Sequence, residues 1–408
     1  MQCGLLGGKL AHSYSPQIHK LLADYDYALY EREPEALADF LQNGDFSGLN
    51  VTIPYKKAVI AYCARLSPQA ARLGSVNTIV READGTLSGY NTDYFGFQST
   101  VARTGLSLAG KKALVLGSGG ASATAVAVLE ELEARVVVIS RTGENHYGNL
   151  GRHADAALIV NATPVGMYPK VGAAAPSLDG FPRLEGVLDI IYNPARTALL
   201  LEAERRGLVT ENGLWMLVAQ AKQSAELFTR RCIDDAAIGP IHRKLKFRME
   251  NIVLIGMPGS GKSAVGRALS QELGRPFVDA DAQLVQEAGM TIPEIFASEG
   301  EAGFRRRETA VLENLGCQSG CILATGGGCV TQPRNYPLLH QNGTIFCLER
   351  DISRLPTEGR PLSQANDPAD LYALRKPMYE AFRDYSVDNN GTVSESVRQI
   401  LTALGGTV

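Results

Sequence analysis

The stretch GMPGSGKS, residues 256–263, constrains the fold of this 408-residue chain more than any other. It fits the pattern GxxxxGK[ST] at every fixed position, follows the apolar run IVLI and precedes the helical pattern AVGRALSQEL. Its glycines let successive backbone N–H groups wrap a polyphosphate at a helix N-terminus, while Lys262 adds a positive charge and Ser263 a ligand for Mg²⁺. The pattern therefore predicts a parallel α/β sheet with a nucleotide site, beginning near residue 250.

Composition places the chain among globular proteins that act on small molecules. With 45% hydrophobic and 20% charged residues over 408 positions, it can bury the cores of two or three domains. A formal charge of -3 is far from the basic excess of nucleic-acid binders, and no apolar run approaches the roughly 20 residues that span a bilayer. The seven cysteines lack CxxC spacing, which fits a reducing compartment. We therefore expect a cytoplasmic protein with neither nucleic-acid nor membrane partners.

A change of composition near residue 247 divides the chain. The stretch GPIHRKLKFRME combines a Gly-Pro breaker with a short basic run, and it predicts a linker over residues 241–249. On either side, short apolar runs alternate with amphipathic stretches, the pattern of parallel sheets covered by helices, so an α/β fold is predicted throughout. The predicted strands are Cys3–Gly7, Leu49–Ile53, Ala113–Leu116, Val136–Ile139, Ala157–Val160, Val187–Ile190, Ile252–Ile255, Pro276–Val278, Cys321–Ala324 and Thr344–Leu348.

Three polar clusters follow the phosphate loop at strand ends that would face it. Asp279 and Asp281 lie on one strand face, where one carboxylate suits magnesium and the other a substrate hydroxyl. The run FRRRE offers guanidinium groups for bidentate contact with a carboxylate, and the run 326–328 of three glycines lets backbone approach a ligand. Each cluster also has an ordinary explanation: a capping pair, a solvated basic face or a plain loop.

Together these motifs resemble shikimate kinase. GMPGSGKS, DAD, IFASEGEAGFRRRE, ATGGG, GRPLS and RKPMY occur in the order and approximate spacing of that family within residues 250–408. The resemblance implies a P-loop kinase fold, with Lys262, Asp281 and Arg360 in catalysis. The implied ligand-binding residues are Gly259, Ser260, Gly261, Lys262, Ser263, Ala264 and Arg360 for ATP, Ser263 and Asp279 for Mg²⁺, and Asp281, Phe296, Phe304, Arg305, Gly327, Gly328 and Arg375 for shikimate.

The stretch LVLGSGGASATAVAVLEEL indicates a second nucleotide site upstream. It begins as a buried strand and turns into a helix through a glycine-rich loop, but Ser122 stands where the dinucleotide pattern has its third Gly or Ala. The next strand, VVVIS, is followed by Arg141 and Thr142 instead of the acidic residue that holds the ribose of NAD. A guanidinium there suits a 2′-phosphate, so the pattern favours NADP over NAD.

The upstream part also carries polar residues suited to a small anionic substrate. Ser13 and Ser15 in AHSYSP lie at a predicted helix start, where their hydroxyls suit an anion and where N-capping is the alternative. Lys56 follows the strand GLNVTI, and a partly desolvated lysine beside Asp93 can relay a proton. A surface ion pair is the ordinary alternative, and the sequence does not show that the two residues meet.

With NATPVGM, DIIYNP and NGLWMLVAQA, these clusters resemble shikimate dehydrogenase over residues 1 to about 240. The resemblance implies a substrate domain at 1–95 plus 213–240 and a Rossmann-like NADP domain at 96–212, shortened between Arg141 and Asn161. It also implies that Lys56 and Asp93 form the catalytic pair. The implied substrate-binding residues are Ser13, Ser15, Asn50, Thr52, Asn77, Asp93, Tyr192 and Gln220, and the implied NADP-binding residues are Gly117, Gly119, Gly120, Ala121, Arg141, Thr142, Gly213 and Met216.

The two resemblances predict one chain that catalyses two successive reactions: reduction of 3-dehydroshikimate with NADPH, then phosphorylation of shikimate with ATP. We expect it to act on these small molecules as a monomer or homodimer. One alternative is an NAD-linked quinate or shikimate dehydrogenase joined to a kinase for another small acid. Another is a binding or regulatory protein that keeps both folds without catalysis.

Overall fold

The computed structural model describes residues 1–10, 13–171, 176–355 and 367–405, which fold into two compact units. The second unit comprises the described residues from Leu245 onward, together with Tyr168–Val171 and Asn193–Ala198. The first unit comprises the remaining described residues and contains two sheets, whereas the second contains one. Largely parallel strands alternate with helices in each sheet, which confirms the predicted α/β class.

The first sheet begins the chain. Its strands are β1 (Gln2–Gly7), β2 (Asp26–Glu31), β3 (Gly48–Val51), β4 (Arg65–Leu66), β5 (Thr78–Arg81) and β6 (Leu87–Tyr90), and its helices are α1 (Ser15–Leu22), α2 (Leu37–Asn43), α3 (Pro68–Leu73) and α4 (Asp93–Thr104). The strand order is β2-β1-β3-β5-β6-β4, with β5 antiparallel to β3 and β6. Leu6, Leu49 and Ile79 are fully buried and centre its core.

The second sheet is fully parallel, in the order β11-β10-β9-β7-β8. Its strands are β7 (Lys112–Leu116), β8 (Arg135–Ile139), β9 (Ala156–Asn161), β10 (Gly186–Asp189) and β11 (Val209–Glu211), and its helices are α5 (Gly120–Glu131), α6 (Ala198–Arg205) and α7 (Gly213–Thr229). Along β7, Val115 and Leu116 pack into different cores, as alternation requires. The connection from β8 to β9 holds a 3₁₀ segment, Tyr147–His153, in agreement with the shortening predicted there.

The stretch predicted to be a linker is helical. Residues 241–249 lie in α8 (Ile238–Met249), so the expectation that the Gly-Pro pair would prevent a helix here is wrong. Gly239 and Pro240 fall in the first turn of α8, where backbone N–H groups have no partner within the helix. Proline is tolerated there because it removes a donor that the helix does not use. The domain boundaries drawn from sequence stay predictions.

The third sheet is also parallel, in the order β13-β14-β12-β15-β16. Its strands are β12 (Asn251–Ile255), β13 (Phe277–Asp279), β14 (Ile322–Ala324), β15 (Gly343–Glu349) and β16 (Tyr385–Asp388), and its helices are α9 (Lys262–Leu273), α10 (Ala280–Ala288), α11 (Ile292–Gly316), α12 (Asn335–His340), α13 (Pro368–Phe382) and α14 (Val393–Ala403). Along β12, Val253 and Leu254 enter cores on opposite faces. Gly300 kinks α11, since its φ is +69°.

Each predicted strand overlaps an observed strand, but several strands were missed. Four of them, β2, β4, β11 and β16, lie at sheet edges and have largely exposed or half-exposed side chains, so they lack a continuous apolar run. The other two, β5 and β6, are only four residues long. No helix within the described residues is long and apolar enough to cross a membrane.

Two helices of the first unit, α4 and α7, cross at a glycine. A Cβ on Gly96 would lie 2.8 Å from the backbone oxygen of Met216 and 3.0 Å from Cβ of Gln220. Because glycine has no side chain, the two backbones can approach this closely. Asp93 begins α4 and Gln220 lies on α7, so this crossing sets the separation of two predicted site residues.

We expect Gly96→Ala to destabilise the first unit. Alanine favours helices, but the methyl group would force α4 and α7 apart, and overpacking of this kind costs about 1–3 kcal/mol. Urea unfolding followed by the fluorescence of Trp215, the one tryptophan in the sequence, measures the loss. The control is Gly239→Ala in α8, where a Cβ would meet, within 4 Å and among the described residues, only Arg243 Nη1, at 3.5 Å. Equal midpoints for wild type and Gly96→Ala would contradict the close crossing.

Candidate active sites

The predicted proton-transfer residues of the first unit meet in space. Lys56 lies in the loop after β3, and Asp93 is the first residue of α4. Lys56 Nζ lies 2.6 Å from Asp93 Oδ2, and the two side chains are 32% and 20% exposed. This is neither a fully exposed surface pair nor a sealed one, so a ligand can reach the ammonium group. The catalytic role of the pair stays a prediction.

Three amides predicted to contact the substrate ring share one hydrogen-bond network around Thr92, the residue before Asp93. Asn77 Nδ2 donates to Thr92 Oγ1 at 3.0 Å, and Thr92 Oγ1 lies 3.4 Å from Gln220 Oε1. Asn50 joins the network through Ser224, whose Oγ lies 2.7 Å from Asn50 Nδ2 and 3.0 Å from Thr92 Oγ1. The network brings together residues of β3 and α7 with Thr92, which directly precedes Asp93 of the proton-transfer pair. Another predicted substrate residue, Thr52, is half-buried after the end of β3.

The two predicted carboxylate-binding serines stand at the start of α1. The backbone N–H of Ser15 donates to Ser13 Oγ at 3.2 Å, while the residue in the N-cap position is Tyr14. Neither serine is therefore the N-cap itself, and the alternative explanation of these residues loses force. The ring of Tyr192 packs edge-on against Tyr14 at 6.3 Å, and burial raises the pKa of the Tyr192 phenol.

A buried histidine packs behind this region. His19 of α1 is 1% exposed, stacks on Tyr27 at a centroid distance of 4.0 Å, and has its Nδ1 within hydrogen-bonding distance of the hydroxyl of Tyr25. Burial lowers the pKa of His19 to about 3. The hydroxyl of Tyr27 in turn donates to Asn50 Oδ1 at 2.8 Å. His19 thus supports a predicted substrate residue as a neutral ring.

The glycine loop between β7 and α5 forms an open cradle. Gly117 has a φ of +108°, and a Cβ there would lie 2.9 Å from Thr163 Cγ2. Gly119 caps α5, and a Cβ on Gly119 or Gly120 would meet no atom within 4 Å among the described residues. Ser122 donates to the backbone oxygen of Gly117 at 2.7 Å, so the departure from the dinucleotide pattern braces the loop. An open helix N-terminus of this kind fits a pyrophosphate.

The other residues predicted to bind NADP lie in three places: beyond β8, in the first turn of α5, and in α7. Arg141 and Thr142 are exposed just beyond β8, where a 2′-phosphate would be accessible, and Ala121 is half-buried in the first turn of α5. Gly213 begins α7, and a Cβ there would lie 1.9 Å from the backbone oxygen of Ile190, so this glycine is required by packing. Met216 is buried in α7.

In the second unit, a cavity of about 430 Å³ lies at the carboxyl ends of the strands. Ser260 is fully buried and does not line it, and Arg360 lies outside the described residues. The other predicted residues of this unit all line the cavity: Gly259, Gly261, Lys262, Ser263, Ala264, Asp279, Asp281, Phe296, Phe304, Arg305, Gly327, Gly328 and Arg375.

The phosphate loop shows how its charged groups are held. Lys262 Nζ donates to the backbone oxygens of Gly256 and Met257 at 2.9 and 3.0 Å. Ser263 Oγ donates to Asp279 Oδ2 at 2.7 Å, which pairs a hydroxyl with a carboxylate, and oxygen ligands of this kind suit Mg²⁺. Asp279 also caps α10, so the capping alternative and the metal role describe the same residue.

The arginine run presents one guanidinium to the cavity. Arg305 is 4% exposed and bonds to Glu308 Oε2 at 2.8 Å and to Glu301 Oε1 at 3.2 Å. A Cβ on Gly328 would lie 2.2 Å from Arg305 Nη2, so glycine is needed for the guanidinium to fit. A solvated basic face therefore does not describe Arg305. Arg375 Nη1 donates to the backbone oxygen of Gly327 at 3.2 Å, and the rings of Phe296 and Phe304 stack at 4.7 Å.

Sequence reasoning missed Glu308, the last residue of FRRRE. Glu308 is 2% exposed and lines the cavity, and burial raises its pKa although Arg305 opposes the rise. Its spacing of three residues from Arg305 on a helix was a usable signal. Thr78, Thr92 and Ser224 of the first unit were also missed. Isolated hydroxyl residues carry no motif in one sequence.

The two halves of the chain resemble different families. Family models for the shikimate dehydrogenase substrate binding domain and for shikimate kinase match residues 5–79 and 258–405. A shikimate dehydrogenase (NADP(+)) from Clostridium perfringens is 34% identical over 267 residues, which are 60% of this chain and 98% of that relative.

Solved structures give the same result for the first unit. A shikimate 5-dehydrogenase from Thermus thermophilus, solved in complex with NADP(H) and shikimate, is 32% identical with a TM-score of 0.55, covering 60% of this chain and 99% of that one. A chorismate mutase/shikimate 5-dehydrogenase fusion protein from Clostridium acetobutylicum is 35% identical with a TM-score of 0.57, covering 60% of this chain and 96% of that one.

The buried histidine predicts an acid-sensitive first unit. In the unfolded chain His19 has its ordinary pKa of 6.5, whereas in the folded protein the pKa of His19 is about 3. The unfolded state therefore binds more protons in this interval, and stability is lost as the pH falls. Between pH 7 and pH 5 this loss is about 2 kcal/mol. Urea unfolding followed by Trp215 fluorescence measures the free energy of unfolding at pH 7 and at pH 5. This free energy should decline less in His19→Phe than in the wild type, and equal declines would contradict the lowered pKa of His19.

Proposed function

Because the chain belongs to the shikimate dehydrogenase family and carries a shikimate kinase domain behind it, we propose that it catalyses two successive steps. The first is reduction of 3-dehydroshikimate to shikimate with NADPH, and the second is phosphorylation of shikimate to shikimate 3-phosphate with ATP. The observation that carries this proposal is that each unit holds the residues its reaction needs. Lys56 bonds Asp93 in the first unit, and Lys262 and Arg305 line one cavity in the second.

The dehydrogenase step needs a hydride and a proton, and bound NADPH supplies the hydride to the ring carbonyl carbon. Lys56 gives its proton to the carbonyl oxygen, which becomes a hydroxyl. Asp93 Oδ2, 2.6 Å from Lys56 Nζ, aligns the ammonium group before transfer. Ser13 and Ser15 hold the substrate carboxylate. The ring oxygens contact Asn50, Thr52, Asn77 and Gln220, as the resemblance to shikimate dehydrogenase implies.

The kinase step transfers a phosphoryl group that bound MgATP supplies, so the protein mainly positions and neutralises charge. We propose that Lys262 exchanges the backbone oxygens of Gly256 and Met257, to which it donates at 2.9 and 3.0 Å, for phosphate oxygens of the nucleotide. Ser263 and Asp279 hold Mg²⁺. Asp281 accepts the proton of the attacking hydroxyl, and Arg305 holds the carboxylate of shikimate.

The alternatives differ in cofactor, substrate or the presence of catalysis. Exposed Arg141 beyond β8 supports a 2′-phosphate and hence NADP over NAD. A regulatory protein without catalysis would not need the Lys56–Asp93 pair or the Ser263–Asp279 pair. We further propose a cytoplasmic monomer or homodimer, with seven cysteines that are free, as in a reducing compartment.

Two lysine substitutions separate the activities. Lys56→Ala removes the proton donor, so the rate of NADPH loss with 3-dehydroshikimate should fall about 10²–10⁴-fold. Lys262→Ala should remove ADP release with shikimate, because the phosphate loop loses its cation. Each variant should retain the other activity, and Lys57→Ala, at the exposed neighbouring lysine, should retain both. A folded variant that loses both activities would contradict independent sites.

Cofactor choice should depend on Arg141. Removal of a charged hydrogen bond to a phosphate costs about 1.5–3 kcal/mol, so Arg141→Ala should raise KM for NADPH about 10–100-fold. KM for NADH, which lacks the 2′-phosphate, should stay unchanged. Arg135→Ala is the matched control, since Arg135 is exposed at the opposite end of β8. Equal effects on the two cofactors would refute the 2′-phosphate contact.

A further inference from the structure

Three hydroxyl groups meet beneath the predicted substrate site of the first unit. This hydroxyl cluster consists of Thr78 on β5, Thr92 just before α4 and Ser224 on α7, with exposures of 0%, 1% and 0%. The Thr78–Ser224, Thr92–Ser224 and Thr78–Thr92 oxygen distances are 2.9, 3.0 and 3.2 Å. Sequence separations of up to 146 residues converge here, so the cluster exists only in the folded chain.

The amides of two predicted substrate residues bond to this cluster. Asn50 Nδ2 lies 3.1 Å from Thr78 Oγ1 and 2.7 Å from Ser224 Oγ, which uses both of its N–H groups. Asn77 Nδ2 donates one N–H to Thr92 Oγ1 at 3.0 Å. Asn77 Oδ1 accepts from the backbone N–H of Thr92 at 2.7 Å, which fixes this amide from its other side.

One arrangement of the hydroxyl hydrogens satisfies the amide contacts of both asparagines, and no hydrogen then lies between the three hydroxyl oxygens themselves. Each hydroxyl carries one hydrogen, and each finds an acceptor outside the cluster: Thr78 donates to Asn77 Oδ1 at 3.1 Å, Ser224 to the backbone oxygen of Gln220 at 3.0 Å, and Thr92 to Gln220 Oε1 at 3.4 Å. The hydroxyl lone pairs then remain for the amide N–H groups of the two asparagines. The amide group of Asn50 can have only one orientation in this arrangement.

We propose that the hydroxyl cluster positions the amides that read the substrate ring, an inference that rests on the proposed dehydrogenase function. With both N–H groups directed at Thr78 and Ser224, Asn50 presents its oxygen to Tyr27, which donates to it at 2.8 Å. Since both N–H groups are already used, Asn50 accepts from a ring hydroxyl and does not donate to one. Thr78, Thr92 and Ser224 are positioning residues.

A role limited to packing does not account for the cluster. Buried hydroxyl groups cost free energy unless they are bonded, and valine or alanine would fill the same space without that cost. The three hydroxyls also join β5, the start of α4 and α7, the elements that carry Asn77, Asp93 and Gln220 or adjoin them. Loss of one hydroxyl leaves an amide N–H buried without its acceptor. With Thr78 or Ser224 lost, the amide of Asn50 would keep only two of the three contacts that fix its orientation.

Thr78→Val and Thr78→Ser in the full chain test this proposal. Valine keeps the shape and removes the hydroxyl, whereas serine keeps the hydroxyl. We expect Thr78→Val to raise KM for 3-dehydroshikimate at least tenfold and to leave KM for NADPH within twofold, while Thr78→Ser restores most of the loss. NADPH consumption without ATP reads only the dehydrogenase, and ADP release with shikimate reports that the same chain is intact.

Each outcome decides between explanations. If both variants lower kcat and raise both KM values alike, or if serine fails to rescue, the cluster serves packing alone and the proposal is wrong. If Thr78→Val does not fold, Ser224→Ala takes its place, because it removes the hydroxyl that accepts from Asn50 Nδ2 at 2.7 Å; an unchanged KM for 3-dehydroshikimate would then overturn the proposal. A wild-type chain inactive on 3-dehydroshikimate would instead refute the proposed function itself.

Discussion

Both units depend on a buried parallel strand that ends in a glycine of positive φ and continues as a helix. In the first unit β7 is followed by Gly117, with φ +108°, before α5; in the second β12 is followed by Gly256, with φ +141°, before α9. A Cβ at these positions would meet backbone oxygens of neighbouring strand ends, at 3.1 Å from Ala162 and 2.7 Å from Leu348. The turn therefore aims helix N–H groups past the sheet edge, where phosphates bind and strand-end side chains gather.

The two units share this strand–glycine–helix turn, but the polar groups around their predicted substrate sites differ. In the first unit, neutral hydroxyls and amides around Thr92 form a closed network, which suits a ring whose oxygens are uncharged. In the second, the guanidinium group of Arg305, paired with Glu308, lies at the cavity, and its N–H groups suit a carboxylate. A buried ion pair is costly unless both partners are bonded, so Glu308 keeps Arg305 oriented and charged. One small acid can thus be held in two chemically distinct ways.

The order of the two units follows the order of the proposed reactions. The product of the first unit is the acceptor of the second, and one chain supplies both activities in equal number. Joining two sites raises the local concentration of each near the other, but a small product that enters solution escapes by diffusion. The benefit of the fusion that follows from these arguments is an equal number of the two active sites, and it does not require direct transfer of the product between them.

Sequence alone determined the glycine loops, Lys262 with Ser263, and the order of motifs, because phosphate binding needs residues that are adjacent along one strand, turn and helix. It also predicted the apolar strands, whose buried runs are local patterns. Tertiary structure decided that Lys56 meets Asp93, that Arg305 packs against Gly328, and that Thr78, Thr92 and Ser224 converge. These contacts arise from the packing of elements distant in sequence, and no local pattern of residues encodes which distant hydroxyl or carboxylate a side chain will face.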